Sequence, residues 1–477
     1  MSRRKKPLIK ALEVTSIGAE GKAIARHEGK VIFLQEAVPG DVVDVQITRK
    51  KASFMEGYPT AYHSYSKDRI DPFCSHFGVC GGCKWQHLGY EQQLAYKEQQ
   101  VVDQLSRIGH VDLPEVTPIL GAASTQYYRN KLEFTFSDKR WLTKEQVASG
   151  EDFDRDALGF HIPRHFDKVV KIDHCYLQPD PSNAIRTAVD AFAKAEGYTY
   201  YNHRDHAGDL RNLIIRTANT GQYMIILQFG HIKSQERIDA FMAHLAEQFP
   251  DCTSLNYIIN TKGNETFHDL DVHCVKGTPY IIEEMTAAPG KVLQYRVGPK
   301  SFFQTNSAQA QKLYELARDL AEIKPEDVVY DLYTGTGTIA NFVAHQAQKV
   351  VGLEYVPEAI EDAKVNSDIN GIGNTQFYAG DIKDLLTRDF LEAHDMPDVI
   401  ITDPPRAGMH ADVVNMLLQT GARRIVYVSC NPATQARDLA LLDSHYAVTA
   451  VQPVDMFPQT YHVENIVALD LRPQPKS

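Results

Sequence analysis

The chain has no apolar run approaching the roughly 20 residues that a membrane-spanning helix needs, and its basic start, Met1 to Lys6, leads into no signal-peptide core. A soluble, cytoplasmic protein with no membrane partner is expected. Internal repeats and low-complexity tracts are also missing. Seven cysteines spread over 477 residues are too few, and odd in number, for a secreted disulfide framework. They favour metal-binding or catalytic roles instead. Positive charge is in deficit, with 50 Lys+Arg against 61 Asp+Glu, which taken as an average reads against phosphate binding. The average hides an asymmetry. Residues 1–60 hold eleven Lys+Arg against seven Asp+Glu, so the rest of the chain stands at −15. Electrostatic contact with a nucleic acid is expected to start at this end.

What is present is ordinary globular composition, 43% hydrophobic and 23% charged, long enough for three domains acting as a monomer. From about Ile9 to Tyr62, short β-rich runs such as Val31–Leu34 and Val42–Ile47 alternate with Gly and Pro turns, predicting a small OB-like barrel over residues 1–67. Leu94, Val101, Leu105 and Ile108 fall at helical spacing, predicting an amphipathic helix over about 86–108 that packs on the catalytic domain. Strand-like stretches from Lys131, Leu213 and Tyr223, with a helical pattern over Ser182–Ala195, predict a central α+β domain over 68–300. From 301 to 477, strands and helices alternate as in an α/β, doubly wound, mostly parallel sheet.

Chemistry-bearing motifs collect at the ends of those last strands. Asp331-Leu-Tyr-Thr-Gly-Thr-Gly337 follows an apolar strand and opens a helix, placing a glycine turn where ligands meet such sheets. Glu354 at the next strand end suits ribose hydroxyls, and Asp381 at a further one suits an adenine amino group. An acidic ribose binder beside a glycine turn without a phosphate cradle favours S-adenosylmethionine over a dinucleotide. Asp403-Pro-Pro-Arg406 and Ser429-Cys-Asn-Pro432 then top adjacent strands, with prolines stiffening both loops. Cys430 is expected to be presented rather than packed, unlike Cys252 and Cys274, which read as small buried hydrophobes. Uracil carbon 5 becomes nucleophilic only after a thiolate adds to carbon 6, so the site is expected to lower the thiol's pKa or take its proton during attack. A base must later remove the carbon 5 proton; Glu464 and His462 compete for that role. Cys74, Cys80 and Cys83 form a tight group that Cys175 can complete, and four thiolates suit either zinc or an iron–sulfur cluster.

Together, Ser301–Asn306, Asp331–Gly337, Asp403–Gly408, Ser429–Thr434 and Met456–Glu464 resemble the RNA (uracil-5-)-methyltransferases, specifically the 23S ribosomal RNA branch, over nearly the whole chain. The resemblance implies a Rossmann-like class I methyltransferase domain, Cys430 as nucleophile and Glu464 as base. It implies S-adenosylmethionine held by Gln304, Tyr333, Glu354 and Asp381, with Asp403 between cofactor and target uracil. It further implies a [4Fe-4S] cluster on Cys74, Cys80, Cys83 and Cys175, and an N-terminal barrel of the RNA-binding TRAM type. Thr338 departs from the Asn of many members. The implied partner is ribosomal RNA, with transfer RNA the alternative, and the target base must swing out of its stack to be reached. Two other methylase classes fit less well: amino-group enzymes carry an aromatic where Arg406 stands, and RNA cytosine-5 enzymes a Cys where Pro405 stands. A non-catalytic iron–sulfur RNA-binding protein is the rival of another class. It would not need Cys430 or Glu464.

Overall fold

A computed structural model describes residues 6–473. The strands Leu8–Ile17, Ala23–His27, Lys30–Leu34, Val42–Lys50 and Phe54–Ser64 close into a barrel. Its core follows from period-two alternation: Val43, Val45 and Ile47 point inward and are buried, whereas Asp44 and Gln46 between them face out.

The central region is built on a seven-stranded sheet that runs His273–Gly277, Ser254–Ile259, Tyr223–Phe229, Leu210–Thr217, Lys131–Ser137, Ala157–His161 and Val169–Lys171 in spatial order. The helices Ser182–Ala195 and Gln235–Gln248 lay Ile185, Val189, Ile238 and Phe241 against it. The next hairpin, Ile281–Ala288 with Lys291–Val297, shares one core with Ile214, Met224, Ile226 and Ile258 of this sheet and with the catalytic sheet.

The catalytic sheet also has seven strands, in the order Thr375–Ala379, Lys349–Glu354, Val328–Leu332, Val399–Thr402, Arg424–Ser429, Glu464–Leu471 and Tyr446–Val454. The first five are parallel; the inner four read as apolar runs because both their faces are covered, whereas the edge strand Thr375–Ala379 is only partly buried. Glu464–Leu471 inserts antiparallel between its two neighbours. That reversal brings a late segment of the chain beside the strand ends where the motifs lie.

The expected helix over 86–108 is found as Tyr90–Gln104 followed by a wider turn, Leu105–Gly109, and it packs on the catalytic domain against Pro432–Leu442. Its inward face differs from the expected stripe. Val101 and Leu105 are buried, but Ile108 is exposed, and Gln93 and Lys97 face inward instead. Lys97 Nζ lies 2.6 Å from Asp455 Oδ1, both side chains wholly buried, and Gln93 donates to Gln459 Oε1 and accepts from its N–H. The helix therefore grips the segment that leads into Glu464. Trp85, just before it, joins three parts of the chain: its indole N–H donates to Gly21 O of the barrel, and its backbone N–H donates to Gln459 O. Around Trp85 pack Val38 of the barrel, Leu88, and Tyr461 of the catalytic segment. Gly21 is required here, since its φ is +68° and a Cβ would sit 2.7 Å from Tyr461.

Candidate active site

The strand pairing sets the two proposed catalytic groups side by side. Ser429 pairs with Asn465 in the antiparallel ladder, so continuing the register by one residue puts Cys430 opposite Glu464. Directly opposed residues share a face, with Cβ atoms about 5 Å apart. Cys430 stands immediately before a helix whose start is well specified. Asn431 caps it by accepting the Ala433 N–H, and Pro432 occupies the first turn, where its missing N–H costs nothing. The Asp403–Gly408 loop is clamped to the same helix: Asn431 Nδ2 and Thr434 Oγ1 donate to Arg406 O, and Arg437 donates to Ala407 O and Met409 O. Gly408, at φ +75°, leaves no room for a Cβ beside Arg437 and Asp438.

The electrostatics bear on the two alternatives expected for the Cys430 thiol. Burial pushes the Cys430 thiol up to about 11, and the neighbouring Glu464 and Asp403 add to the shift while Arg406 opposes it. The free site therefore does not favour a thiolate. Burial likewise raises Glu464 to about 8, helped by Asp403, and Asp403 itself to about 7. The two carboxyls thus titrate as an interacting pair near neutrality. His462 moves the other way, to about 4, through burial and then the nearby cations Arg406, Lys97 and Arg129. Such an imidazole is a weak base, which favours Glu464.

The glycine turn lies at the adjoining strand ends. Glu354 uses its two oxygens to accept the N–H groups of Gly335 and Val356, at 3.1 and 3.0 Å, which draws the turn toward the strand end. Gly337 has φ +74°, and Tyr333 has φ +65° at the turn's start. Asp331, part of the motif but given no role by the sequence, is fully buried. Its Oδ2 accepts from Thr334 Oγ1 and Ala340 N, while its Oδ1 has no partner. Only an orphaned acceptor distinguishes it, and no sequence signal marks that. Asp381 lies two residues beyond its strand rather than at its end. There it caps the helix Ile382–Leu385 and pairs with Lys383 at 3.0 Å, exposed to solvent. Gln304 precedes Asn306, the cap of helix Ser307–Ala321, and its carbonyl accepts from Asn130. Thr338 opens the helix after the glycine turn, with its hydroxyl 3.3 Å from Thr336 Oγ1.

Cys74, Cys80, Cys83 and Cys175 line one small pocket, and none is in a disulfide. Four thiols lining one pocket suit either a zinc ion or an iron–sulfur cluster. Cys252 is buried as expected, whereas Cys274 is exposed: its strand, His273–Gly277, is an edge strand with one neighbour. Among the described residues, no helix is long and apolar enough to cross a membrane.

A family model for tRNA (Uracil-5-)-methyltransferase matches residues 272–472, and one for the TRAM domain matches residues 10–59. An uncharacterized RNA methyltransferase of Bacteroides thetaiotaomicron is 57% identical over 459 residues, covering 96% of this chain and 100% of that protein. Another from Porphyromonas gingivalis is 53% identical over 466 residues, covering 96% and 99%. The crystal structure of Pyrococcus abyssi tRNA (uracil-54, C5)-methyltransferase in complex with S-adenosyl-L-homocysteine superposes with a TM-score of 0.73 at 25% identity, over 96% of this chain and 100% of that one. With near full-length relatives above half identity, the chain belongs to the S-adenosylmethionine-dependent RNA (uracil-5-)-methyltransferase family.

Proposed function

We propose that this protein methylates carbon 5 of uridine in 23S ribosomal RNA through a covalent bond between Cys430 and the base. The carrying observation is the cross-strand register of Cys430 and Glu464 on the sheet whose neighbouring strand ends carry the glycine turn. In this reading Glu464 is ionised, and Cys430 Sγ adds to uracil carbon 6 as its proton passes to Asp403. The S–C6 bond leaves electron density on carbon 5, which takes a methyl group. S-adenosylmethionine would supply that methyl from its sulfonium and leave as the thioether S-adenosylhomocysteine. Glu464 then removes the carbon 5 proton, the C6–S bond breaks, and the departing thiolate takes back the proton held by Asp403 while Glu464 gives up its own to solvent.

The ribose is assigned to Glu354, the adenine to Asp381, further cofactor contacts to Gln304 and Tyr333, and the methionine amino group to the unpartnered Oδ1 of Asp331. Asp403 lies between cofactor and uracil. Cys74, Cys80, Cys83 and Cys175 are the residues that would hold a [4Fe-4S] cluster, which would serve as a structural brace, since methyl transfer requires no electron. Ribosomal RNA is preferred because barrel and cysteine set accompany that branch. The transfer-RNA specificity in the name of the Pyrococcus abyssi structure supports a second reading with transfer RNA as substrate.

The deciding measurement is 5-methyluridine in separated ribosomal and transfer RNA, from cells with and without the gene. Loss from ribosomal RNA is expected; loss only from transfer RNA would transfer the assignment to the second reading. With a substrate RNA in hand, 5-fluorouridine in place of the target should trap a protein–RNA adduct that Cys430→Ala cannot form. A trapped adduct that survives in Cys430→Ala would remove Cys430 from its role.

A further inference from the structure

We propose that His161, His203 and Glu265 form a binding site for a divalent transition-metal ion of the zinc class, separate from the cysteine set and from the methyl-transfer site. Each residue offers a ligand atom, and the three atoms lie within 4.8 Å of one another. They come from three distant stretches: the end of the strand Ala157–His161, the loop after Tyr201, and the loop between Ser254–Ile259 and His273–Gly277.

The hydrogen bonding around them is what a metal site needs. His203 is buried, and its Nε2 lies 3.1 Å from Phe136 O. A carbonyl only accepts, so Nε2 carries the proton and the Nδ1 lone pair is left for an ion. Orientation of a ligand imidazole by a backbone carbonyl is a recurrent support of metal-binding histidines. His161 packs edge-on to that ring at 5.2 Å and has a buried Nδ1 without a hydrogen-bond partner. Its Nε2 is 3.5 Å from Glu265 Oε1. An ordinary ion pair accounts for His161 and Glu265 but gives no reason for a second imidazole within ligand distance of both.

Two imidazoles and one carboxylate are a recurrent zinc ligand set that leaves a position open. Bonds of about 2.1 Å put tetrahedral donors about 3.4 Å apart, so closure asks for roughly an ångström of movement. Glu265, exposed and on a loop, can supply it. His203 and Glu265 line an open pocket of about 600 Å³, with His206 and Arg204 at its wall, so a water molecule can fill the fourth position. Arg211 beside it is already committed to the carbonyls of Asn260, Lys262 and Asn264 and competes little for Glu265.

The test is titration of the full-length protein, as purified, with Co2+ followed by visible absorption, then displacement by Zn2+. One equivalent is expected with ligand-field bands and without the intense sulfur-to-cobalt absorption of thiolate sites. Glu265→Gln, an isosteric change on an exposed loop, and His203→Gln should each weaken that binding at least tenfold, with folding checked by circular dichroism. Absence of a sulfur-free Co2+ spectrum, or equal affinity in wild type and folded Glu265→Gln, would overturn the proposal.

Discussion

In its proposed role as base, Glu464 would serve catalysis at the expense of the fold. Its carboxyl is buried and raised to about 8, so the folded protein holds a proton that the unfolded chain, with an ordinary glutamate near 4.5, has already lost. Between those values the native state binds more protons, and stability falls as pH rises through the interval. Glu464→Gln should therefore stabilise the cofactor-free protein at pH 8, by on the order of 2 kcal/mol, with little gain at pH 4. Urea denaturation at the two pH values measures this. The same substitution should slow methyl-product release at least ~100-fold, because nothing takes the carbon 5 proton, and a Cys430-linked RNA should accumulate. For the wild type, activity should fall as pH drops below the carboxyl pair's range, and Asp403→Asn should move that limb to lower pH by removing a neighbouring negative charge. The place of Cys430 at a strand end was legible in the sequence because Ser429-Cys-Asn-Pro432 follows an apolar strand. Its raised thiol was not, since that depends first on burial and then on Glu464 and Asp403 arriving from other strands.

The helix Tyr90–Gln104 shows where reading by periodicity stops. Apolar runs such as Val399–Thr402 and Arg424–Ser429 are visible because burial on both faces demands them. The inward polar residues of this helix carry no such mark, for Lys97 finds its partner 358 positions away. Its ammonium satisfies Asp455, which also accepts the Tyr90 hydroxyl at 2.8 Å and the Phe457 N–H at 3.1 Å. Lys97→Met leaves Asp455 buried without a countercharge, a change that costs about 3–5 kcal/mol. The expected result is a lowered urea midpoint and reduced methyl transfer at near-normal S-adenosylmethionine affinity, because the segment entering Glu464 loosens while the glycine turn is untouched. Equal loss of cofactor binding would argue that the helix acts on the whole domain instead.

At the scale of the molecule, the barrel strands between Leu8 and Ser64 carry seven Lys+Arg against seven Asp+Glu, so any basic face they offer is local rather than net. Arg49, Lys50 and Lys51 stand exposed where the strands Val42–Lys50 and Phe54–Ser64 meet. Replacing all three with Gln should weaken RNA binding and flatten its dependence on salt by about 0.7 in log–log slope for each phosphate that is no longer neutralised. Cofactor binding should not change. Filter binding across a salt series measures the RNA arm, and equilibrium dialysis of S-adenosylmethionine the other. The barrel does not hang free of the chemistry, because Trp85 ties Gly21 on one side to Gln459 on the other. The chain has only two tryptophans, and Trp141 can be removed as Trp141→Phe. The remaining indole, 5.9 Å from the Lys97 ammonium and hydrogen-bonded across the junction, then becomes an intrinsic optical gauge. Its emission colour reads out, without any label, whether a strand of RNA seated on the barrel is felt at the far end of the molecule.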